Sequence, residues 1–198
     1  MYSFPLTPAK IAELLEAPAG NVASNWPKIS GALTARGIFS ERVALAALAT
    51  IRVETPLFLP QHEWGDDAYF TRMYDPLGQH AHLAGVLGNT QPGDGAKFCG
   101  RGFIQLTGRR NYLHFGHAID VDLIAHPELA MASGIAAELF AQYFLEKKVV
   151  AAAEDQKWNE CRRLVNGGYN GIDEFRGTIV ALQVALQQQA PPAIAQGA

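Results

Sequence analysis

Two glutamates nine residues apart, Glu54 and Glu63, are the side chains in this sequence best suited to acid–base chemistry. Glu54 follows a run of mostly Ala, Val, Leu and Ile, so we expect it at the end of a buried helix. Burial and the negative end of the helix dipole both favour the protonated carboxyl, which is the form that a general acid needs. The alternative is a structural ion pair with Arg52 or another arginine at the helix end.

Glu63 lies beyond two prolines, in a loop that could bring its carboxylate back towards Glu54. Hydrolysis of a glycosidic bond needs such a pair, in which one carboxylic acid protonates the leaving oxygen and one carboxylate activates water or attacks. A buried carboxyl and a solvated one would divide these two roles between them. Asp66 and Asp67, in the same loop, are alternative candidates for the second carboxylate.

Residues 99–112, CGRGFIQLTGRRNY, form the second segment of chemical interest. Its glycines do not make a phosphate-binding loop, because no GK[ST] ending and no βαβ frame accompany them. The alternation from Phe103 to Thr107 predicts an extended stretch in which Gln105 and Thr107 share one side. These two side chains could orient a water or an N-acetyl group; the alternative is a polar edge strand.

Three histidines, His62, His80 and His82, raise the question of a metal site. No second cluster of Cys, His or carboxylate residues has the spacing of a metal-binding motif, so we predict no metal and no cofactor. Cys99 and Cys161 do not make a disulfide framework, and we expect both to be free buried thiols.

Helices are expected to position these residues. Thr7 and Pro8 predict the start of the first helix, and Ser40 is a good N-cap for the helix that ends at Glu54. Residues 55–100 lack sustained periodicity, so we expect a long functional or mobile loop with one short helix around Tyr69–Tyr74. The other predicted elements are helices over 22–36, 133–148, 158–165 and 172–189 and a turn over 122–129.

The composition is that of a globular domain. The 198 residues are 48% hydrophobic and 18% charged, which allows a substantial core and argues against disorder. A net charge of -3 gives no electrostatic case for nucleic acid. No segment approaches about 18 apolar residues and no signal peptide is recognisable, so we expect no membrane insertion and synthesis in a cytoplasm. We predict one mainly α domain over residues 1–190 with a small extended element, and a disordered tail over 191–198.

Three motifs together resemble glycoside hydrolase family 19, the group of chitinases and related phage endolysins. They are VET at the end of the buried helix, GRGFIQLTGRRNY, and LVNGGYNG followed by an arginine. The resemblance covers roughly residues 20–186. It implies a lysozyme-like, bilobal, mostly helical fold and an inverting mechanism, in which a water is held between the base and a hydroxyl side chain.

Roles for individual residues follow from the resemblance. Glu54 matches the general acid, Glu63 is the implied base, and Thr107 stands where a Ser or Thr helps to hold the water. We expect Arg176 to pair with a cleft carboxylate. In plant chitinases the second glutamate lies much further from the first than the nine residues found here, so the spacing resembles the endolysin branch. The implied substrate-binding residues are Gln105, Asn111, Asn166 and Arg176.

The resemblance therefore implies an endolysin-type muramidase that cleaves the β-1,4 backbone of peptidoglycan in the periplasmic cell wall and acts as a monomer. A chitinase is the close alternative, because both polymers carry N-acetyl groups. A non-catalytic glycan-binding module is the alternative of a different class. The presence of both Glu54 and Glu63 argues against such a module.

Overall fold

Helices dominate the computed structural model of the chain, which describes residues 3–189. The mainly α fold predicted from the sequence is confirmed, and so is the small β element. The predicted tail over 191–198 lies outside the described residues. In chain order the elements are α1 Pro8–Leu14, α2 Ala19–Ala35, α3 Glu41–Glu54, β1 Gln61–His62, α4 Asp67–Tyr74, α5 Ala81–Leu87, α6 Asp94–Lys97, β2 Arg101–Gly102, α7 Arg109–Ala118, a 3-10 helix Pro127–Met131, α8 Ser133–Glu146, α9 Val149–Glu154, α10 Trp158–Asn166 and α11 Ile172–Gln189.

Helix α3 is the centre of the larger hydrophobic core. The hydroxyl of Ser40 accepts a hydrogen bond from the Val43 N–H at 3.2 Å, which confirms the predicted N-cap. Every residue from 43 to 51 is buried, and α9, α10 and α11 pack around the helix. A helix that is apolar on all sides needs such neighbours. The packing holds α3 rigidly and places Glu54 at its C-terminal end.

A second, smaller hydrophobic cluster lies between α7, the 3-10 helix and α8. Helix α8 contributes to both clusters, with Phe140 in the larger and Leu139 in the smaller. The buried members of the smaller cluster are Phe98, Leu106, Tyr112, Phe115, Leu123, Ala130 and Leu139.

Strands β1 and β2 form a two-residue antiparallel pair, with Gln61 opposite Gly102 and His62 opposite Arg101. The extended stretch predicted over 103–107 is wrong. Arg101 and Leu106 exchange two backbone hydrogen bonds, at 2.9 and 3.2 Å, so the chain reverses between them. Gln105 takes a left-handed conformation with φ of 50°, which closes this turn.

Residues 55–100 are not the long loop predicted, because three short helices, α4, α5 and α6, lie within them. The predicted aromatic helix is α4. Buried carboxylates replace an extensive apolar core here: Asp75 Oδ2 accepts from the N–H groups of Gly93 and Gly95, at 2.8 and 3.3 Å. Helices α7 and α9 were also not predicted. No helix within residues 3–189 is long and apolar enough to cross a membrane.

Candidate active site

The loop between the two glutamates is fixed to helix α2. Phe58, at its middle, is completely buried and takes a positive φ of 57°. Asn25 Nδ2 donates to Phe58 O at 2.9 Å, and Asn21 Nδ2 donates to Leu57 O at 2.8 Å. These bonds satisfy carbonyl groups that a tight loop cannot pair internally. The loop thus sets the position of Glu63 relative to the end of α3.

Both oxygens of the Glu63 carboxylate are hydrogen-bonded. The Tyr74 hydroxyl donates to Oε1 at 2.6 Å, and the Gly100 N–H donates to Oε2 at 2.8 Å. The Glu63 N–H in turn donates to Gly100 O at 2.8 Å, which extends the pairing of β1 with β2 by one residue. The carboxylate is therefore held in one orientation by two donors of different kinds.

Three side-chain oxygens surround the α-carbon of Gly100. A methyl group at this position would lie 3.0 Å from Glu63 Oε2, 3.0 Å from Gln105 Oε1 and 3.2 Å from Thr107 Oγ1. Thr107 Oγ1 donates its proton to Gln105 O at 2.8 Å, so its lone pairs remain available to accept a hydrogen bond. The fold thus brings together the candidate base, the hydroxyl and the amide that the sequence singled out, although through a turn and not through an extended strand.

Gln105 and Asn111 also brace the backbone of this cluster. Gln105 Nε2 donates to Gln61 O at 2.9 Å and to Gly102 O at 3.1 Å, which leaves Oε1 directed towards Gly100. Asn111 Nδ2 donates to Thr107 O at 2.7 Å from the first turn of α7. The amide nitrogens of both side chains are therefore occupied by the protein itself.

Glu54 forms an ion pair with Arg162 of α10, whose Nη1 donates to Glu54 Oε1. The Arg162 side chain is only 2% exposed, and that of Glu54 is 19% exposed. The structural ion pair considered from sequence is thus present, but its arginine comes from another helix. Arg52 instead contacts Glu16 and Glu174.

The environment of Glu54 is completed by Tyr143 and the loop after α10. Burial and the Glu54 charge together raise the pKa of Tyr143, whose hydroxyl donates to Val165 O at 3.0 Å. Arg162 Nε donates to Asn170 O at 2.6 Å. The carboxyl therefore lies between a buried cation and a protonated phenol, at the surface of the larger core.

Asn166 and Arg176 are not brought to either glutamate by a hydrogen bond or ion pair within residues 3–189. Asn166 is the exposed last residue of α10, and Gly167 follows it in a left-handed conformation with φ of 76°. Arg176 is exposed on α11 and lines a cavity of about 620 Å³ together with Trp158 and Tyr169. The pairing expected of Arg176 is made by Arg162, four residues before Asn166 on the same helix.

The alternative carboxylates in the loop have other positions. Asp66 Oδ1 accepts from the Tyr69 N–H at 2.7 Å and caps helix α4. Asp67 is exposed in the first turn of α4. Neither aspartate hydrogen-bonds to Thr107 or Gln105, so the geometry favours Glu63.

Cys99 and Cys161 are both buried free thiols. Cys99 Sγ lies 3.3 Å from His62 Nε2, and burial raises the pKa of the Cys99 thiol. Among residues 3–189, no group of three or more His, Cys, Asp or Glu residues is placed to hold a metal ion.

The groups that hold the two glutamates lack a local signal in the sequence and were not predicted. Arg162 was not considered, although it lies one helical turn before Asn166 and so on the same face of α10. Tyr74 was predicted only as part of the short helix around Tyr69–Tyr74. Gly100 was noted as a glycine, but its N–H could not be recognised as a donor to Glu63 without the pairing of β1 with β2.

Solved structures with this architecture include family 19 chitinases. Chitinase C from Streptomyces griseus superposes with a TM-score of 0.68 at 21% identity, covering 92% of this chain and 95% of that one. A bacterial family 19 chitinase gives 0.62 at 20% identity, with coverages of 90% and 95%. A point mutant of chitinase C gives 0.66 at 18% identity, with coverages of 94% and 78%. The lysozyme-like helical fold expected from the motifs is thereby confirmed.

The sequence itself is similar to a glycosyl hydrolase family 19 domain-containing protein of Haemophilus influenzae. The two are 36% identical over 87 residues, which make up 44% of this chain and 42% of that protein. This chain therefore matches less than half the length of its curated relative. No family model matches the chain. The resemblance to family 19 is supported by both the fold and this sequence match.

Proposed function

We propose that the protein is a glycoside hydrolase that cleaves β-1,4 bonds of an N-acetylated glycan with inversion. The observation that carries the proposal is the arrangement around Gly100, where Glu63 Oε2, Gln105 Oε1 and Thr107 Oγ1 converge. A carboxylate beside a hydroxyl can receive one proton of a water while the hydroxyl oxygen accepts a hydrogen bond from the other proton and orients that water. The amide oxygen of Gln105 remains free to accept a hydrogen bond from an N–H group of the glycan. Glu54, at the end of the rigid helix α3, supplies the second carboxyl that inversion requires.

Glu63 acts as the general base in this proposal. Its carboxylate takes a proton from the water, whose oxygen then bonds to the anomeric carbon as the glycosidic bond breaks. The Tyr74 hydroxyl and the Gly100 N–H stabilise the ionised carboxylate before the proton is transferred. Thr107 Oγ1 accepts a hydrogen bond from the same water and fixes its direction of attack.

Glu54 acts as the general acid and gives its proton to the leaving oxygen. Arg162 holds Oε1 at the C-terminal end of α3, where the carboxyl is partly exposed. Among residues 3–189 no hydrogen bond is made to Oε2, so this oxygen is the one that can carry the proton.

The proposed substrate is peptidoglycan, because the nine-residue spacing of the glutamates resembles the endolysin branch of the family. Chitin is the second candidate, and it is favoured by the solved structures that share this fold, which are chitinases by name. Both glycans offer the N-acetyl groups that Gln105 and Thr107 could contact. The proposal includes a monomer made in the (host) cytoplasm that acts on the periplasmic cell wall.

The test compares four carboxylate variants on two substrates. Glu54→Gln and Glu63→Gln are expected to lose at least nine-tenths of the activity, whereas Asp66→Asn and Asp67→Asn keep most of it, because Asn still caps a helix and Asp67 is solvated. Lysis is followed by turbidity of outer-membrane-permeabilised cells, and chitin oligomers are assayed beside them. Mass spectrometry of peptidoglycan fragments identifies the bond cut, and NMR of the fresh product identifies the anomer.

Three outcomes would contradict the proposal. An inactive Asp66→Asn or Asp67→Asn beside an active Glu63→Gln would move the base to that aspartate. A β-anomer as the first product would exclude inversion. Binding of peptidoglycan and chitin without release of reducing ends would identify the protein as a non-catalytic glycan-binding module. Lysis after targeting to the periplasm, but not after cytoplasmic expression, is the result expected for the location.

A further inference from the structure

We infer that Tyr74 is a positioning residue for Glu63: the Tyr74 hydroxyl fixes the orientation of the base by donating a hydrogen bond to its carboxylate. This inference rests on the proposed function, since it concerns the carboxylate that activates the water. Tyr74 lies on α4, outside the three motifs that resemble family 19. Its role follows from the contacts at its hydroxyl, its ring and its backbone.

The hydroxyl is a donor to Glu63 and remains one. Its oxygen lies 2.6 Å from Glu63 Oε1, a distance typical of a bond from O–H to an ionised carboxylate. Burial, and then the hydrogen bond and charge of Glu63, raise the pKa of Tyr74 far above its usual range. The phenol thus keeps its proton at any pH at which the enzyme works. An acceptor-only carboxylate is the partner that this proton needs.

Tyr74 is itself fixed from the buried side. Its ring stacks on Phe70, which is 1% exposed, with ring centroids 6.3 Å apart and planes inclined by 14°. Its carbonyl oxygen accepts from Asn89 Nδ2 at 2.9 Å, and Asn89 Oδ1 accepts from the Arg109 N–H at 2.8 Å. Asn89 is 3% exposed. A rigid donor of this kind can impose one orientation on a carboxylate, which a solvated side chain cannot.

The two donors to Glu63 act on different oxygens. Gly100 N–H holds Oε2 beside Thr107 and Gln105, and Tyr74 holds Oε1 on the other side. With both bonds present, rotation of the carboxylate would break two charge-assisted hydrogen bonds. Without the Tyr74 hydroxyl, the carboxylate can rotate more freely, and its Oε1 can take a proton from solvent. Both changes reduce the fraction of Glu63 that is ready to activate water.

Several titratable groups face this pair and must be considered in any pH profile. The His62 ring bonds the Glu63 backbone carbonyl through Nδ1 at 2.8 Å, and this contact is common to the wild type and to variants of Tyr74. The groups whose charges act on Tyr74 or on the neighbouring Cys99 thiol are Glu63, Tyr69, Cys99, Arg101 and Asp67. The Glu63 charge also acts on Tyr112.

Tyr74→Phe tests the inference and Tyr69→Phe is the matched control. Both lose one hydroxyl from helix α4, but the structure gives the Tyr69 hydroxyl no hydrogen bond to Glu63. The phenylalanine of Tyr74→Phe keeps the ring and its stacking on Phe70. Thermal melts verify that both variants fold, and rates are then measured well below the lower of their two melting midpoints. Loss of one hydrogen bond to a charged group is expected to lower kcat by about 10- to 100-fold.

The pattern of the change separates positioning from general structure. In Tyr74→Phe we expect KM to stay close to that of the wild type and the acid limb of the kcat profile to move to higher pH, because a carboxylate that has lost a donor is protonated more easily. Tyr69→Phe should keep both kcat and the profile. Equal kcat in the two variants, or a lower kcat with an unmoved acid limb, would overturn the role of Tyr74. If Glu63→Gln stays active, the proposed function fails instead, irrespective of the result for Tyr74.

Discussion

Arg162 and Glu54 are joined across 108 residues of sequence, with the guanidinium of one bonded to the carboxylate of the other. The arginine is almost inaccessible, and its Nε is satisfied by Asn170 O at 2.6 Å. A buried guanidinium is costly unless a carboxylate accompanies it. Glu54 therefore neutralises a core arginine, and the same arginine fixes the direction of the proposed acid. Stability and catalysis are coupled at this pair.

Because of this coupling, we expect Arg162→Gln to lower both stability and kcat, and the neighbouring Arg163→Gln to lower neither. Loss of the buried cation leaves Glu54 without its partner and should lower the free energy of unfolding by about 3 kcal/mol, with a clear loss of kcat. Arg163 pairs with Glu160 at the surface, so its replacement should leave the melting midpoint unchanged. Thermal melts and lysis rates of the two variants check this. Equal melting midpoints and equal lysis rates in the two variants would show that the ion pair of Arg162 with Glu54 supports neither stability nor catalysis.

A single methyl group added at Gly100 is expected to lower activity. The Cβ of Gly100→Ala would lie 3.0 Å from Glu63 Oε2 and from Gln105 Oε1, closer than almost all Cβ contacts. We expect a fall in kcat of at least about 10-fold, since misplacing the reacting groups is costly in rate. Gly177→Ala in α11, where no atom lies within 4 Å of the new methyl, is the control and should raise the melting midpoint slightly.

The contrary result for Gly100→Ala would be an undiminished kcat in a folded protein. It would mean that Glu63 and Gln105 can move apart without loss of function, so their convergence on Gly100 would not be the catalytic arrangement. A structure of the variant would then locate the displaced oxygens.

Elements that depend on local signals were predicted correctly from the sequence. Elements whose conformation depends on contacts between distant residues were not. Ser40, the apolar run and Pro56 fixed helix α3 and hence the place of Glu54. The left-handed conformation of Gln105 has no local signal, because a non-glycine residue rarely takes a positive φ. Its turn is closed by Arg101 and Leu106, and the prediction of a strand from alternation alone was therefore wrong.

The partner of Glu54 illustrates the same limit in the site. Motif spacing directed attention to Arg176, which the structure places at the surface of α11. Arg162 reaches Glu54 only because α10 packs against α3 in the folded core. Sequence periodicity identifies the buried face of a helix, but it does not identify which distant carboxylate that face meets.

A pH-dependent contribution to stability is predicted for Asp94. Burial opposes ionisation of Asp94, but hydrogen bonds from Arg109 and from the N–H groups of Gln91 and Thr90 outweigh it and hold its pKa below the usual value. A lowered pKa contributes stability above the unfolded value of about 3.9, and this contribution is lost as pH falls through the folded value. Asp94→Asn should therefore be less stable than the wild type at neutral pH, by about 3 kcal/mol.

The difference between Asp94→Asn and the wild type should narrow on acidification below about pH 4. Asp155 is the control, because its pKa is also lowered, by Lys157, but the pair is exposed to solvent. Asp155→Asn should have the same melting midpoint as the wild type at every pH. Melting midpoints across the acidic range check both expectations, and a constant gap between Asp94→Asn and the wild type would contradict the linkage.

Thr107 gives the most direct test of how the water is held. Its Oγ1 lies beside Glu63 Oε2 and donates to Gln105 O at 2.8 Å, so the hydroxyl both braces the turn and offers lone pairs to a water. Thr107→Ala should lower kcat by about 10- to 1,000-fold, the range for losing one oriented catalytic group, while Thr107→Ser should keep most of the wild-type kcat.

Thr178 Oγ1 donates to Glu174 O at the same distance of 2.8 Å on α11, so Thr178→Ala controls for the loss of a hydroxyl bonded to a carbonyl. An unchanged rate in Thr107→Ala would limit Thr107 to bracing Gln105. A serine variant as slow as the alanine variant would mean that the methyl group, and not the hydroxyl, supports the site.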